Sequence, residues 1–261
     1  MGKISSIVEW IREGIRHHIT WRHLWRNWYL GRHACLGYDV LKYYKHLPRG
    51  INFQKGRADL FSQCFLNQNL LPKSAYLKRF MARLDVLELI DQLKNLPFVP
   101  KRAPQFIFMD SFAELTDQLF VNRTERWQFC CAFSDVNHSE HFSGEYVSNG
   151  LLPIKEIKRA YLDLFAIFEK RWGDVPIYFL HFPIALETRE IFKERYQKII
   201  EIIDEIAMDL PNLYSIRIDE SRVVWPQDLP VALRDFPYHY DEATYKAFRE
   251  QIEAVAPLMQ K

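Results

Sequence analysis

Ser111, His239 and Asp235 have the residue types needed for nucleophilic acyl chemistry. A serine hydroxyl is a weak nucleophile and needs a neighbouring base, usually a histidine, which a third group orients. Ser111 follows the apolar run Phe106–Met109 and Asp110, and precedes a helical pattern. That order predicts a serine at the carboxyl end of a strand and on the first turn of a helix. Open α/β sheets bind ligands there, and backbone N–H groups at the helix start would face a developing oxyanion. The segment Asp235-Phe-Pro-Tyr-His239 stands near the other end of the chain. Pro237 keeps Phe236 extended, so this is a loop ahead of the last helix. From there His239 would reach Ser111 as general base, with Asp235 orienting its imidazole. A plainer reading stands beside each. Ser111 and Glu114 have capping-box spacing, Asp241 is placed to cap the last helix, and His239 would then be a packed loop aromatic.

Other constellations exclude chemistry more than they suggest it. His138-Ser-Glu-His141 has an H-x-x-H spacing, but it lies in the polar, turn-rich stretch 134–150 without a third ligand, so no metal site is expected. There is no G-x-G-x-x-G and no G-x-x-x-x-G-K-[ST], so no cofactor is expected. The four cysteines, Cys35, Cys64, Cys130 and Cys131, form no C-x-x-C. They read as buried free thiols of a reducing compartment, which makes a cytoplasmic location the expectation.

The elements that must position the candidates change character at Pro97, Pro100 and Pro104. After Pro104 the spacing predicts strands at 106–109, 127–133, 176–182 and 213–218. Helices are expected at 112–121, 153–172, 186–208 and 241–258, with a long loop at 134–150. This βαβαβαβ alternation predicts an α/β fold with a parallel sheet, helices on its faces and right-handed crossovers. Before Pro104, Ile4, Ile7, Val8, Ile11, Ile15 and Ile19 recur at helical spacing, and Trp21, Trp25 and Trp28 continue it. Gly31 and Gly37 then break the pattern. The rest, to 103, reads as helix and loop, with a strong helix over 75–96. The expected organisation is a basic, mainly helical region 1–103 and an α/β domain 104–261.

Taken together, Met109-Asp110-Ser111 and Asp235-Phe-Pro-Tyr-His239 resemble the SGNH (GDSL-like) hydrolase superfamily. That family begins with a strand ending in Gly-Asp-Ser and closes with Asp-x-x-His before its last helix. Here Met replaces the Gly and the closing spacing is one residue longer. The ending FPYHYDEATYKAF is similar to that of uncharacterised bacterial SGNH-like proteins of surface-polysaccharide loci. The resemblance implies a flavodoxin-like three-layer domain with Ser111 as nucleophile, His239 as base and Asp235 as orienting carboxylate. It implies an oxyanion Asn and Gly, for which Asn137 and Gly144 are the candidates, beside Asp110. His181, Glu187 and Arg189 are expected at the same sheet edge, with His181 also readable as a core histidine. The implied function is a serine esterase or O-acyltransferase with a carbohydrate or acylated small-molecule substrate, in bacterial capsule or lipopolysaccharide synthesis. Two alternatives stay open: a non-catalytic binding or scaffold protein, and a glycan-modifying transferase with Ser111 as donor-binding cap.

Charge is uneven. Residues 1–103 carry 18 Lys+Arg against 7 Asp+Glu, and the remainder 17 against 26. A basic, Trp-bearing amphipathic helix suits an anionic membrane surface, which would place the protein at the inner-membrane periphery. Phosphate contacts are a second reading, but no nucleic-acid-binding motif accompanies the charge, so nucleic acid is not expected as a partner. Docking on the acidic half or on another protomer, as a homo-oligomer, is preferred because it buries the isoleucine stripe.

Overall fold

A computed structural model describes residues 27–227 and 237–256. The apolar run after Pro104 forms β3 (Ile107–Asp110), buried at all four positions. It is the centre of a five-stranded parallel sheet with β1 (Trp28–Arg32), β2 (Arg49–Asn52), β7 (Ile177–Leu180) and β8 (Leu213–Ile216), in the order β2-β1-β3-β7-β8. Register pairs Leu30 with Ile107, Ile107 with Ile177, and Ile177 with Leu213. Strands covered on both faces read as apolar runs rather than as alternation, and β3 and β7 do so. Helices α1 (Cys35–Leu41) and α8 (Glu242–Val255) pack together. So do α2 (Ala58–Leu66), α6 (Ile154–Trp172) and α7 (Glu190–Asp209). The α/β expectation with a parallel sheet therefore holds. The chain runs outward from β1 to β2, then returns to the other side of β1 at β3. The strand order reverses there, which opens a crevice between the loops leaving β1 and β3.

The expected boundary at 103/104 does not divide this sheet. β1 and β2 come from the region read as basic and helical, so the strand ending in Asp110 is third along the chain rather than first. Of the helical pattern that runs from Ile4 to Trp28, the part up to residue 26 lies outside the described residues, and 28–30 are strand. Trp28 continues the helical tryptophan spacing, yet it is fully buried as the first residue of β1.

The segment expected as helix 112–121 splits. Helix α4 (Phe112–Thr116) ends where Asp117 begins β4 (Asp117–Asn122). Strand β5 (Gln128–Ala132), expected in the parallel sheet, instead pairs antiparallel with β4, from Asp117 opposite Ala132 to Val121 opposite Gln128. The stretch expected as a loop at 134–150 contains α5 (Glu140–Glu145) and β6 (Tyr146–Ser148), which completes a second sheet in the order β5-β4-β6. The reason is a second core: Phe120, Trp127, Phe129, Phe142 and Tyr146 bury against Leu77, Phe80, Val86 and Ile90. Burying such side chains yields about 1.5–3 kcal/mol each, enough to override local helix propensity. The same core breaks the helix expected over 75–96 into short turns and α3 (Leu84–Asp91). Among the described residues no helix is long and apolar enough to cross a membrane.

Candidate functional site

The two loops at the strand-order reversal are joined by one carboxylate. Asp110 accepts hydrogen bonds from the Ala34 N–H at 2.7 Å and the Phe112 N–H at 3.1 Å. Burial pushes its carboxyl up to about 7, against the pull of those two N–H groups and Arg32. Ser111 takes the N-cap position of α4, is 1% exposed, and makes no capping hydrogen bond through its side chain. The capping box is therefore absent, because Glu114 is used elsewhere. Its carboxylate accepts two bonds from Arg32 at 2.9 and 2.8 Å, one from the Ala58 N–H at 2.7 Å and one from the Tyr161 hydroxyl at 2.6 Å. This bidentate geometry and the added hydrogen bonds offset the desolvation of the buried ion pair, although the buried Arg32 Nε has no partner among the described residues.

A second buried network ties the two sheets together. Lys55 donates to Asp117 Oδ1 at 2.9 Å and lies 3.7 Å from Asp135 Oδ2. Arg57 pairs with Asp59 and also donates to the carbonyls of Asp117 and Gly150. Arg195 donates to the carbonyls of Glu114 and Leu152. Backbone carbonyls freed at the ends of α4 and β6 thus find partners, as buried polar groups must.

Above these networks lies a cavity of about 510 Å³ whose wall includes Cys35, Lys55, Phe112, Asp135, Arg189 and His239. Its size is within the usual range for small-molecule sites. Cys35 opens α1, directly after β1. Its thiol donates to the Tyr238 carbonyl oxygen at 3.4 Å, so it lies against the residue that precedes His239. Tyr238 holds that segment in place. Its ring meets Phe112 edge-on at 5.3 Å and Phe182 at 5.7 Å, and its hydroxyl accepts from Arg189 at 3.0 Å. Beyond His239, Tyr240 donates to the Pro237 carbonyl, and Asp241 accepts from the Thr244 N–H to cap α8. The cap assigned to Asp241 from the sequence is thus observed. Burial pushes the Cys35 thiol up, and Asp110 and Asp39 push it the same way, to about 12.

The sequence candidates separate in space. His239 is exposed in the cavity wall; Ser111 and Asp110 are buried and are not among the residues lining it. Asp235 lies outside the described residues. Asn137 is exposed beside the antiparallel sheet, where its side chain bonds the Arg79 carbonyl and the Ser139 N–H. Gly144 is exposed within α5. Neither lines the cavity, so the structure does not bring them together with His239 as oxyanion groups. His181 is a core histidine: its Nε2 meets Ser215 Oγ at 3.0 Å, and burial pulls it down to about 3. Arg189 does reach the cavity, held by two bonds to Glu187. Among the described residues no group of His, Cys, Asp or Glu is set to hold a metal ion. The cavity wall also holds Cys35 and Lys55, which no sequence motif marks. In the sequence Cys35 stands four residues after Gly31, which reads as a break in the helical pattern although it is part of β1, the strand that leads into α1. No family model, curated protein or solved structure matches the chain.

Proposed function

We propose that this protein is an acyl-transfer enzyme, an esterase or O-acyltransferase, whose nucleophile is Cys35 and whose base is His239. One observation carries the reading: Cys35 and His239 line a single cavity at the strand-order reversal, with the thiol 3.4 Å from the carbonyl of the residue before His239. Ser111, the nucleophile that the SGNH resemblance implies, is not part of that wall. In the proposed step the Cys35 sulfur attacks the acyl carbon while its proton passes to His239. The ester C–O bond then breaks, and the leaving oxygen takes that proton. Water or a sugar hydroxyl then attacks the thioester, gives its proton to His239 and releases the Cys35 thiol. A thiol held up near 12 is not a free thiolate at neutral pH, so the base is required for the first step. The carbohydrate acceptor, and a place in surface-polysaccharide synthesis, follow from the resemblance alone.

The test is to incubate the protein with p-nitrophenyl acetate, quench in acid and map the acetyl adduct by mass spectrometry. The adduct is expected on Cys35 in wild type and Ser111→Ala, and to be lost in Cys35→Ala. An adduct on Ser111 would restore the serine esterase. The raised Cys35 pKa also favours a second reading, a binding protein that does no chemistry in this cavity. Absence of any site-specific adduct would support it.

A further inference from the structure

We infer that the ligand of the Cys35–His239 cavity carries a carboxylate, anchored by Arg189; this rests on the acyl-transfer reading of the same cavity. Three cations, Lys55, Arg83 and Arg189, line the wall, against one carboxylate, Asp135. The remaining counter-charges stand behind or beside the wall. Asp117 and Glu187 are buried and do not line it, and Asp85 pairs with Arg83 at the surface. Lys55 and Arg83 also reach Asp135 on the wall, at 3.7 and 3.8 Å, whereas the carboxylate partner of Arg189, Glu187, lies off it.

Arg189 is built as an anchor. Its Nε and Nη2 donate to the Glu187 carboxylate at 2.8 and 2.7 Å, and Nη2 also donates to the Tyr238 hydroxyl. The guanidinium lies 4.0 Å over the Phe192 ring. These four restraints fix the plane before any ligand arrives, so little side-chain freedom remains to be lost on binding. Nη1 makes no hydrogen bond among the described residues, and the side chain is 45% exposed. A pre-oriented guanidinium whose Nη1 N–H groups are unused among the described residues can donate them to a carboxylate, and such bonds are charge-assisted. Lys55 at the base and Arg83 at the rim add to the same field. Phe112 and Phe133 supply the apolar wall for the carbon skeleton. The ligand class is thus an acyl compound that bears a carboxylate in addition to the carbonyl under attack.

The test compares alkylation of Cys35 by iodoacetate and by iodoacetamide at neutral pH and low ionic strength, quantified at the Cys35 peptide by mass spectrometry. In both reactions the C–S bond forms, iodide leaves, and the thiol proton passes to His239 or buffer. The iodoacetate-to-iodoacetamide rate ratio at Cys35 is expected to exceed that of N-acetylcysteine by about tenfold. It should fall with added salt, and fall toward the N-acetylcysteine value in Arg189→Gln and, less so, in Arg83→Gln. A wild-type ratio at or below the reference overturns the inference, as does a ratio unchanged in both variants. If iodoacetamide modifies Cys35 but iodoacetate gains nothing, only the carboxylate anchor falls. If neither reagent modifies Cys35, the thiol reading of the cavity falls with it.

Discussion

The Asp110 carboxylate accepts the Ala34 backbone N–H at 2.7 Å across 76 positions of sequence. Through it the turn carrying Cys35 is fastened to the end of β3, and the Phe112 N–H takes the other oxygen. Asp110→Asn keeps one acceptor and sets an amide N–H against a backbone donor. It should cost about 1–3 kcal/mol in urea unfolding. The pH dependence has a definite sign. A carboxyl raised from 3.8 to about 7 in the folded state stabilises fully below its unfolded value, and that stability is lost as pH rises through 7. The advantage of wild type over Asp110→Asn is therefore expected to be larger at pH 4 than at pH 8. A constant difference across that range would contradict the assignment.

Glu114 and Ser111 give opposite outcomes. Glu114→Gln leaves the Arg32 guanidinium, which is 1% exposed, without a charged partner, and should cost about 3–5 kcal/mol. Ser111→Ala removes a hydroxyl that caps nothing, and should stay within about 0.5 kcal/mol, below the ~1 kcal/mol of a working N-cap. Thermal and urea unfolding of the two variants separate this arrangement from a capping box.

The two buried histidines work in the other direction from Asp110. Burial lowers His33 to about 4 and His181 to about 3, each below the ordinary 6.5. Each contributes stability that is present above 6.5 and lost as pH falls toward those values. Proton NMR of the imidazole C2–H signals should show neither histidine titrating between pH 5 and 8. His181→Gln, which can still bond Ser215, should flatten the acid limb of the unfolding curve.

These residues also show what the chain declares locally and what it does not. The runs at 106–109 and 176–182, and the helices at 153–172, 186–208 and 241–258, were legible because apolar spacing alone specifies them. β1 was not: Trp28 fits a helical tryptophan stripe, and Gly31 reads as a stop. β4 was not, because its helix-like opening is overridden by Asp117 meeting Lys55 and by Phe120 entering the second core. At the site, His239 stood out as a loop histidine ahead of a capped helix. Cys35 did not, because its partner is 203 positions away and no local motif announces that contact. Glu114 had capping-box spacing, and only the fold shows Arg32 taking its carboxylate.

Tyr238 should matter beyond its packing. Tyr238→Phe removes the hydroxyl that accepts from Arg189 at 3.0 Å but keeps the ring contacts with Phe112 and Phe182. Loss of the hydrogen bond to the charged Arg189, together with the hydroxyl's bond with Tyr196, is expected to cost at least about 1.5–3 kcal/mol. It should also lower the iodoacetate preference at Cys35, because Arg189 loses one of its restraints. A variant with wild-type stability and preference would show that Glu187 and Phe192 suffice to fix Arg189.

The proposed pairing of Cys35 with His239 is tested by the iodoacetamide rate at each cysteine, followed by peptide mapping in wild type and His239→Asn. Cys64, Cys130 and Cys131 are fully buried and serve as internal references. Cys35 should react faster than all three in wild type, and about ten- to a hundredfold more slowly once His239 is replaced, on the scale of general-base assistance. A Cys35 rate that matches the buried cysteines, or one indifferent to His239, would contradict the thiol site.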